Sequence, residues 1–200
     1  MIKNIVFDIG NVLTDYTWNK YLHTFGFSEE VCERIAVAAV KSKEWGEFDR
    51  GVMSVEEVVE TLVQNDPGVG DEIRRFTADM SGLVERLDYA IPWIQELQAK
   101  GYKVYYLSNF SEKAAKECAS ALDFIPYADG GILSYKEKMI KPEPEIYKRL
   151  LEKYNLVAEE CVFLDDVEAN IEGAKAQGYH GIVFTTREAA LVELAKLGVE

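Results

Sequence analysis

Apolar positions along this chain follow two rhythms, and the first appears at once. Ile5-Val6-Phe7 climbs into a single carboxylate, Asp8, and Gly10-Asn11 then separates it from Val12-Leu13. An apolar run this short near the N-terminus predicts a buried strand of a parallel sheet. From about Thr14 to Asp88 the pattern predicts helices and no strand. Tyr16 to Phe25 is aromatic-rich and stops at Gly26. Ser28 before Glu29-Glu30 reads as an N-cap with an acidic first turn, and Val31, Ile35 and Ala38-Ala39 follow at helical spacing. Ser54-Val55-Glu56-Glu57 has the S-x-x-E form of a capping box. Behind it Val55, Val58, Val59, Leu62 and Val63 make one apolar stripe, which Asn65-Asp66-Pro67-Gly68 ends by turn chemistry. Asp71 to Leu87 reads as a further helix.

After Tyr89 the rhythm alternates. A helix from Tyr89 to Ala99 closes at Lys100-Gly101, and a strand from Tyr102 to Leu107 runs into Ser108-Asn109. Ser111 caps a helix to about Ala121, and Gly131 to Ser134 is a short strand. Lys141-Pro142 precedes a helix from Pro144 to Tyr154, with proline in the first turn where its missing N–H costs nothing. Cys161 to Leu164 is a buried strand that runs into Asp165-Asp166. A helix from Glu168 to Ala176, a strand from Gly181 to Phe184 and a helix from Arg187 to Leu197 finish the chain, with Thr185-x-x-Glu188 as a capping box for the last. Strands alternating with helices predict right-handed crossovers and a parallel sheet. The expected fold is α/β, a doubly wound parallel sheet, with residues 1–14 and 89–200 as the core domain and 15–88 as an inserted all-helical domain.

Composition narrows the partners. The chain has 200 residues, 48% of them apolar, enough to build a core. A net charge of −13 argues against nucleic acid or an anionic membrane as the main partner. Cys32, Cys118 and Cys161 are odd in number and far apart, which speaks against a disulfide framework or structural zinc; Cys161 reads as a small core residue. There is no signal-peptide pattern and no run of transmembrane length, so a soluble cytoplasmic protein is expected.

The chemistry sits at strand ends. Asp8, Ser108-Asn109 and Asp165-Asp166 each follow an apolar run, and Lys141 lies in the loop after a fourth; in a doubly wound sheet such ends share one edge. Singly, Asp8 reads as a cap or turn residue, Ser108-Asn109 as a turn, and Lys141 as a solvated lysine. Asp165-Asp166 is harder to dismiss, because adjacent carboxylates after a buried run repel each other unless a cation compensates. Together the set suits phosphoryl transfer through an aspartyl-phosphate. Asp8 would attack phosphorus. Mg²⁺ would be held by Asp8, a backbone carbonyl and the Asp165/Asp166 pair. Lys141, Ser108 and Asn109 would neutralise and hold the phosphate oxygens.

Four motifs carry a resemblance. Phe7-Asp8-Ile9-Gly10-Asn11-Val12, Leu107-Ser108-Asn109, Lys141-Pro142, and Phe163-Leu164-Asp165-Asp166 with Asn170 and Gly173-Ala174 resemble the haloacid dehalogenase (HAD) superfamily of hydrolases. The helical insertion after the first motif is similar to that family's C1-type cap. The D-x-G-N-V form and Lys141-Pro142-Glu143-Pro144-Glu145-Ile146-Tyr147 look most like the branch with an α-D-glucose-1-phosphate phosphatase and the phosphatase domain of soluble epoxide hydrolase. The resemblance implies Asp8 as nucleophile and metal ligand, the Gly10 carbonyl and Asp166 as metal ligands with Asp165 in support, and Ser108, Asn109 and Lys141 on the phosphate. It implies Mg²⁺ as cofactor and a small phosphorylated metabolite, such as a sugar phosphate, as substrate.

Gly10 is a departure, since phosphatases of this superfamily usually place a general acid/base Asp two residues after the nucleophile. Glycine allows a tight turn there but moves no proton. Asp15 is one candidate substitute; its plain alternative is a hinge or capping residue. In the insertion, Trp45, Glu47, Phe48, Asp49 and Arg50-Gly51 cluster as substrate-choosing residues. The plainer expectation makes Trp45 and Phe48 core and Arg50 part of a surface ion pair. His23 and His180 receive no role. The leading reading is a Mg²⁺-dependent phosphatase acting as a monomer or weak dimer. The alternatives are a 2-haloacid dehalogenase and a non-catalytic phosphate- or protein-binding module.

Overall fold

In the computed structural model, which describes residues 1–199, the chain forms seven strands and eleven α-helices among the described residues. The strands are β1 (Asn4–Phe7), β2 (Thr14–Tyr16), β3 (Val84–Arg86), β4 (Lys103–Ser108), β5 (Gly130–Leu133), β6 (Cys161–Asp165) and β7 (His180–Val183). Five of them make a parallel sheet in the order β5-β4-β1-β6-β7. The chain fills one side of β1 with β4 and β5, then crosses to the other side for β6 and β7. The reversal therefore falls at β1, where such sheets open a crevice at their carboxyl edge.

Side-chain alternation decides which layer each strand residue enters. Ile5 and Phe7 face the layer of α6 (Ala90–Ala99) and α11 (Arg187–Lys196), where Phe7 meets Trp93 at 4.6 Å between ring centroids. Val6, Leu107 and Phe163 face α9 (Pro144–Tyr154) and α10 (Glu168–Lys175), against Ile146, Tyr147, Leu150, Ile171 and Ala174. Both faces of β1 are apolar because both are covered. All three cysteines are free and buried.

Residues between β1 and β4 depart from the all-helical expectation. The helices α1 (Trp18–His23), α2 (Glu29–Ile35), α3 (Gly46–Arg50), α4 (Val55–Asn65) and α5 (Gly70–Ala78) are present, but two short strands enclose them. β2 and β3 pair antiparallel, Thr14 with Arg86 and Tyr16 with Val84. The helix expected from Asp71 to Leu87 ends at Ala78. Three-residue strands are too short to show an alternating pattern, so this ribbon leaves no readable signal in the sequence. Within the block, Ser28 caps α2, and Ser54 and Glu57 form the complete capping box of α4. After Ile35 the helix widens into a π-helical turn, Ala36–Val40.

Smaller differences lie near β4 and at the C-terminus. Ser111 caps α7 (Glu112–Glu117), which gives way to a 3₁₀ turn at Ala119–Leu122 rather than running on as one helix. A short helix α8 (Ser134–Glu137) follows β5. The last helix is capped by Thr186, whose Oγ1 accepts from the Ala189 N–H at 3.2 Å, and not by Thr185. Among the described residues, no helix is long and apolar enough to cross a membrane.

Candidate active site

Asp8 follows β1 directly and is held at the crevice by both its backbone and its neighbours. Its N–H donates to the Leu164 carbonyl at 2.8 Å, which fixes it beside the end of β6. Its Oδ1 accepts from the Ile9 N–H at 2.7 Å and lies 2.8 Å from Lys141 Nζ. Lys141 reaches the same point from the loop after α8, and its ammonium also bonds Asp165 Oδ2 at 2.6 Å. Asp8 is 7% exposed, Lys141 3% and Asp165 0%. Burial of this degree is tolerated by charges only when they are paired.

The electrostatics follow. Burial pushes the Asp8 carboxyl up to about 6, against the pull of Lys141 and with a push from Asp165. Burial opposes the charge on Lys141, yet Asp8 and Asp165 outweigh it and hold its ammonium above the usual lysine range.

The two acidic neighbours at the end of β6 are not equivalent. Asp165 Oδ1 accepts from the Val167 N–H at 2.8 Å and from Asn170 Nδ2 at 3.1 Å, while Oδ2 takes Asn170 Nδ2 at 3.0 Å and Lys141. Its oxygens are fully engaged, so it anchors Lys141 and the start of α10. Asp166 is half-buried and accepts only from Asn11 Nδ2, at 2.8 Å on Oδ2. One oxygen from each of Asp8, Asp165 and Asp166 lies within 4.8 Å of the others. Asp8, Asp166 and the Gly10 backbone in one cavity are a set of hard oxygen donors that fits Mg²⁺, and the free lone pairs of Asp166 make it the readier of the β6 pair, with Asp165 close by but already bonded.

Ser108 and Asn109 end β4 at the same edge. Asn109 Oδ1 accepts from the Lys141 N–H at 2.7 Å, and its Nδ2 donates to the Lys141 carbonyl at 3.0 Å. That clamp is why a lysine in a loop keeps a fixed position. The tight turn expected at Gly10 sits one residue later: Asn11 has φ of 56°, a conformation asparagine tolerates better than most residues. A Cβ at Gly10 would meet nothing within 4 Å.

These groups line a cavity of about 260 Å³, which Asp8, Gly10, Ser108, Lys141 and Asp166 enter from the sheet edge. Much of its remaining lining is apolar and aromatic: Tyr16, Val40, Trp45, Leu83, Val84 and Phe110, with Asp49 from α3 among them. Val40 arrives through the π-helical turn, the kind of helix irregularity that gathers at functional sites. Asp15 does not line the cavity; it is exposed on the ribbon, opposite Glu85. Trp45 and Phe48 pack edge to face with centroids 5.2 Å apart, and Phe48 is buried, so both belong to the core of the block while Trp45 also reaches the cavity. Arg50 is in an ion pair, but a half-buried one that joins the block to the sheet domain: its two terminal nitrogens bond the Glu143 carboxylate at 2.9 and 2.5 Å.

The profile of the haloacid dehalogenase-like hydrolases matches residues 2–178. The chain belongs to that hydrolase family. It is 27% identical to a sesquiterpene phosphatase (astK) of Aspergillus oryzae over 98% of this chain and 96% of the relative. It is 27% identical to a D-ribitol-5-phosphate phosphatase of Bacteroides thetaiotaomicron over 90% of each. In fold it is similar to a HAD-family enzyme of Bacteroides thetaiotaomicron solved with magnesium and inorganic phosphate, at a TM-score of 0.70 and 23% identity, covering 94% of this chain and 96% of that one.

Asn11, Asp49 and Ser134 are the residues that sequence reasoning undervalued. Asn11 joins Asp166 to the ribbon, since its Oδ1 also accepts from the Tyr16 N–H at 3.1 Å. Ser134 donates to the Asp49 carbonyl at 2.6 Å and accepts from the Phe110 N–H at 2.9 Å. Asn11 lies within the D-x-G-N-V motif but has no role assigned to it there, and Ser134 has no motif of its own.

Proposed function

We propose that this hydrolase is a Mg²⁺-dependent phosphatase that cleaves a small phosphomonoester through an aspartyl-phosphate on Asp8. The carrying observation is the buried arrangement of Asp8, Lys141 and Asp165, with Asp166 beside it in one cavity. Asp8 Oδ2, the oxygen not bonded to Lys141, is the nucleophile. Lys141 keeps Asp8 ionised at neutral pH and takes up charge from the transferring phosphoryl oxygens. The Ser108 hydroxyl and the remaining N–H of Asn109 Nδ2 hold those oxygens in line. Asp8, the Gly10 carbonyl and Asp166 hold the metal, with Asp165 supporting from behind through Lys141 and Asn170. A bound Mg²⁺ supplies the charge neutralisation that lets an anionic carboxylate approach an anionic phosphate. Residues 15–88 act as a cap domain that shields the reaction from bulk water.

The relatives named above support a small phosphorylated substrate, one of them acting on a sugar-alcohol phosphate and another on a sesquiterpene phosphate by name. The wall of Tyr16, Val40, Trp45, Leu83, Val84 and Phe110 favours an alcohol with an apolar face over one that is polar all round. The test is phosphate release from a panel of sugar, polyol and apolar-alcohol monophosphates, with Mg²⁺, with EDTA, and with Asp8→Asn. Turnover that needs both metal and Asp8 is the expected result. EDTA-resistant halide release from 2-haloacids would replace this reading with the dehalogenase. Phosphate binding without turnover on any substrate would replace it with the binding module.

A further inference from the structure

Expelling an alcohol from phosphorus leaves an alkoxide, which needs a proton as the bond breaks. The groups in the cavity that could supply it are few. Asp8 is committed as nucleophile under the reading above, on which this inference rests. The Lys141 ammonium is shared between Asp8 and Asp165. Asp166 accepts from Asn11 and belongs to the donor set for the metal. Burial pushes the Tyr16 phenol well above its ordinary range. Asp49 is left. It stands on α3, enters the cavity from the helical block, and its side chain has no hydrogen-bond partner among the described residues.

The geometry points to Asp49 as the general acid and base of this reaction, supplied by the helical block to the phosphorus bound at Asp8. In-line displacement requires the leaving oxygen to point away from the nucleophile. Asp8 reaches the cavity from the sheet edge and Asp49 reaches the same cavity from the helical block, so Asp49 is the acid on a different element from the nucleophile and the one available to meet the departing oxygen. In the first step the Asp8–phosphorus bond forms, the bond from phosphorus to the alcohol oxygen breaks, and Asp49 as the neutral acid passes its proton to that oxygen. The alcohol departs, leaving aspartyl-phosphate and an Asp49 carboxylate. In the second step water enters where the alcohol left. Its oxygen bonds phosphorus, the phosphorus–Asp8 bond breaks, and Asp49 takes the proton. Phosphate leaves, with Asp8 ionised and Asp49 neutral as at the start.

Three contacts hold α3 in this position. Ser134 Oγ donates to the Asp49 carbonyl at 2.6 Å, Arg50 pairs with Glu143, and Lys138 Nζ donates to the Gly51 carbonyl. All three partners lie in the segment from α8 to the start of α9, the same stretch that carries Lys141. Burial, with Asp8 adding to it and Lys141 opposing, pushes the Asp49 carboxyl up to about 7, which suits a group that must give and take a proton near neutrality.

Asp49→Asn and Asp49→Glu test this with two Mg²⁺-supplied substrates, p-nitrophenyl phosphate and a simple alkyl phosphate. Nitrophenolate leaves without a proton, whereas an alkoxide does not. Asp49→Asn is expected to release nitrophenolate in a burst of about one equivalent and then stall, with phosphoprotein visible by intact mass, because only its second step lacks a base. On the alkyl phosphate it should show no burst and lose roughly 10²- to 10⁴-fold in kcat. Asp49→Glu should recover part of both. Equal losses on both substrates without a burst, in a protein with the wild-type melting temperature, would make Asp49 a binding or packing residue and overturn the proposal. So would wild-type turnover on the alkyl phosphate. Asp8→Asn should abolish both reactions; if it does not, the nucleophile assignment fails, and the role of Asp49 is then decided by the leaving-group comparison alone.

Discussion

The Lys141 ammonium lies 2.6 Å from Asp165 Oδ2, and neither side chain is more than 1% exposed. A second buried carboxylate, Asp8, shares that ammonium at 2.8 Å. One cation therefore compensates two anions that are almost wholly buried at the sheet edge of the cavity.

Lys141→Met should remove both activity and stability. It leaves two buried carboxylates facing each other, and stripping one partner from a buried ion pair costs about 3–5 kcal/mol. Urea unfolding at pH 7 in EDTA should show a loss of about 3 kcal/mol; a loss under about 1 kcal/mol would mean that Lys141 does not hold the pair in place.

Asp8→Asn should stabilise the metal-free protein while ending catalysis. The folded-state pKa of Asp8, about 6, lies above its ordinary 3.8. The folded state thus binds this proton more tightly than the unfolded chain, so stability falls as pH rises through that window. Removing the charge should add up to about 3 kcal/mol at pH 8, with the gain shrinking as pH falls toward 4. Paired unfolding curves at pH 8 and 4.5 in EDTA check the sign; a variant less stable than wild type at pH 8 would contradict it.

Arg50 and Glu143 should couple across the junction between the helical block and the sheet domain. The pair is bidentate but partly solvated, with side chains 25% and 37% exposed, so solvent screening limits it. A double-mutant cycle with Arg50→Met and Glu143→Gln should give about 0.5–1 kcal/mol of coupling. Either variant should also lower kcat/KM, since α3 carries Asp49 into the cavity. Additive effects on both readouts would show the two side chains to be independent.

Gly131→Ala should be poorly tolerated although Gly131 sits in an ordinary strand. A Cβ there would come within 2.5 Å of the Tyr106 carbonyl oxygen and 2.4 Å of its ring. The ring could turn but the strand backbone could not, so a loss of about 1–3 kcal/mol is expected in thermal or urea unfolding. Wild-type stability would show that β4 and β5 can separate locally at no cost.

Much of this molecule is legible in its sequence because parallel strands are buried on both faces. Ile5-Val6-Phe7 and Cys161 to Leu164 are therefore continuous apolar runs, and any charge that ends one stands out. Asp8 and Asp165-Asp166 were readable for that reason, whereas Lys141, by itself a solvated lysine in the sequence, gained a place only from the set of strand ends and the resemblance. The caps at Ser28 and Ser54 were readable because capping is a local contact within one turn. What the sequence by itself determined is thus the order of the five sheet strands and their crossover helices, the family, and the residues at the sheet edge. Tertiary structure alone decided the rest. It separated Asp165, with its oxygens saturated, from the freer Asp166, because that difference depends on Asn170 and on a lysine from another loop. It paired β2 with β3, moved the turn from Gly10 to Asn11, left Asp15 outside the cavity and set Asp49 inside it. Each of these depends on contacts between segments far apart in the chain, and such a contact leaves no period, cap or run in either segment for the sequence to display.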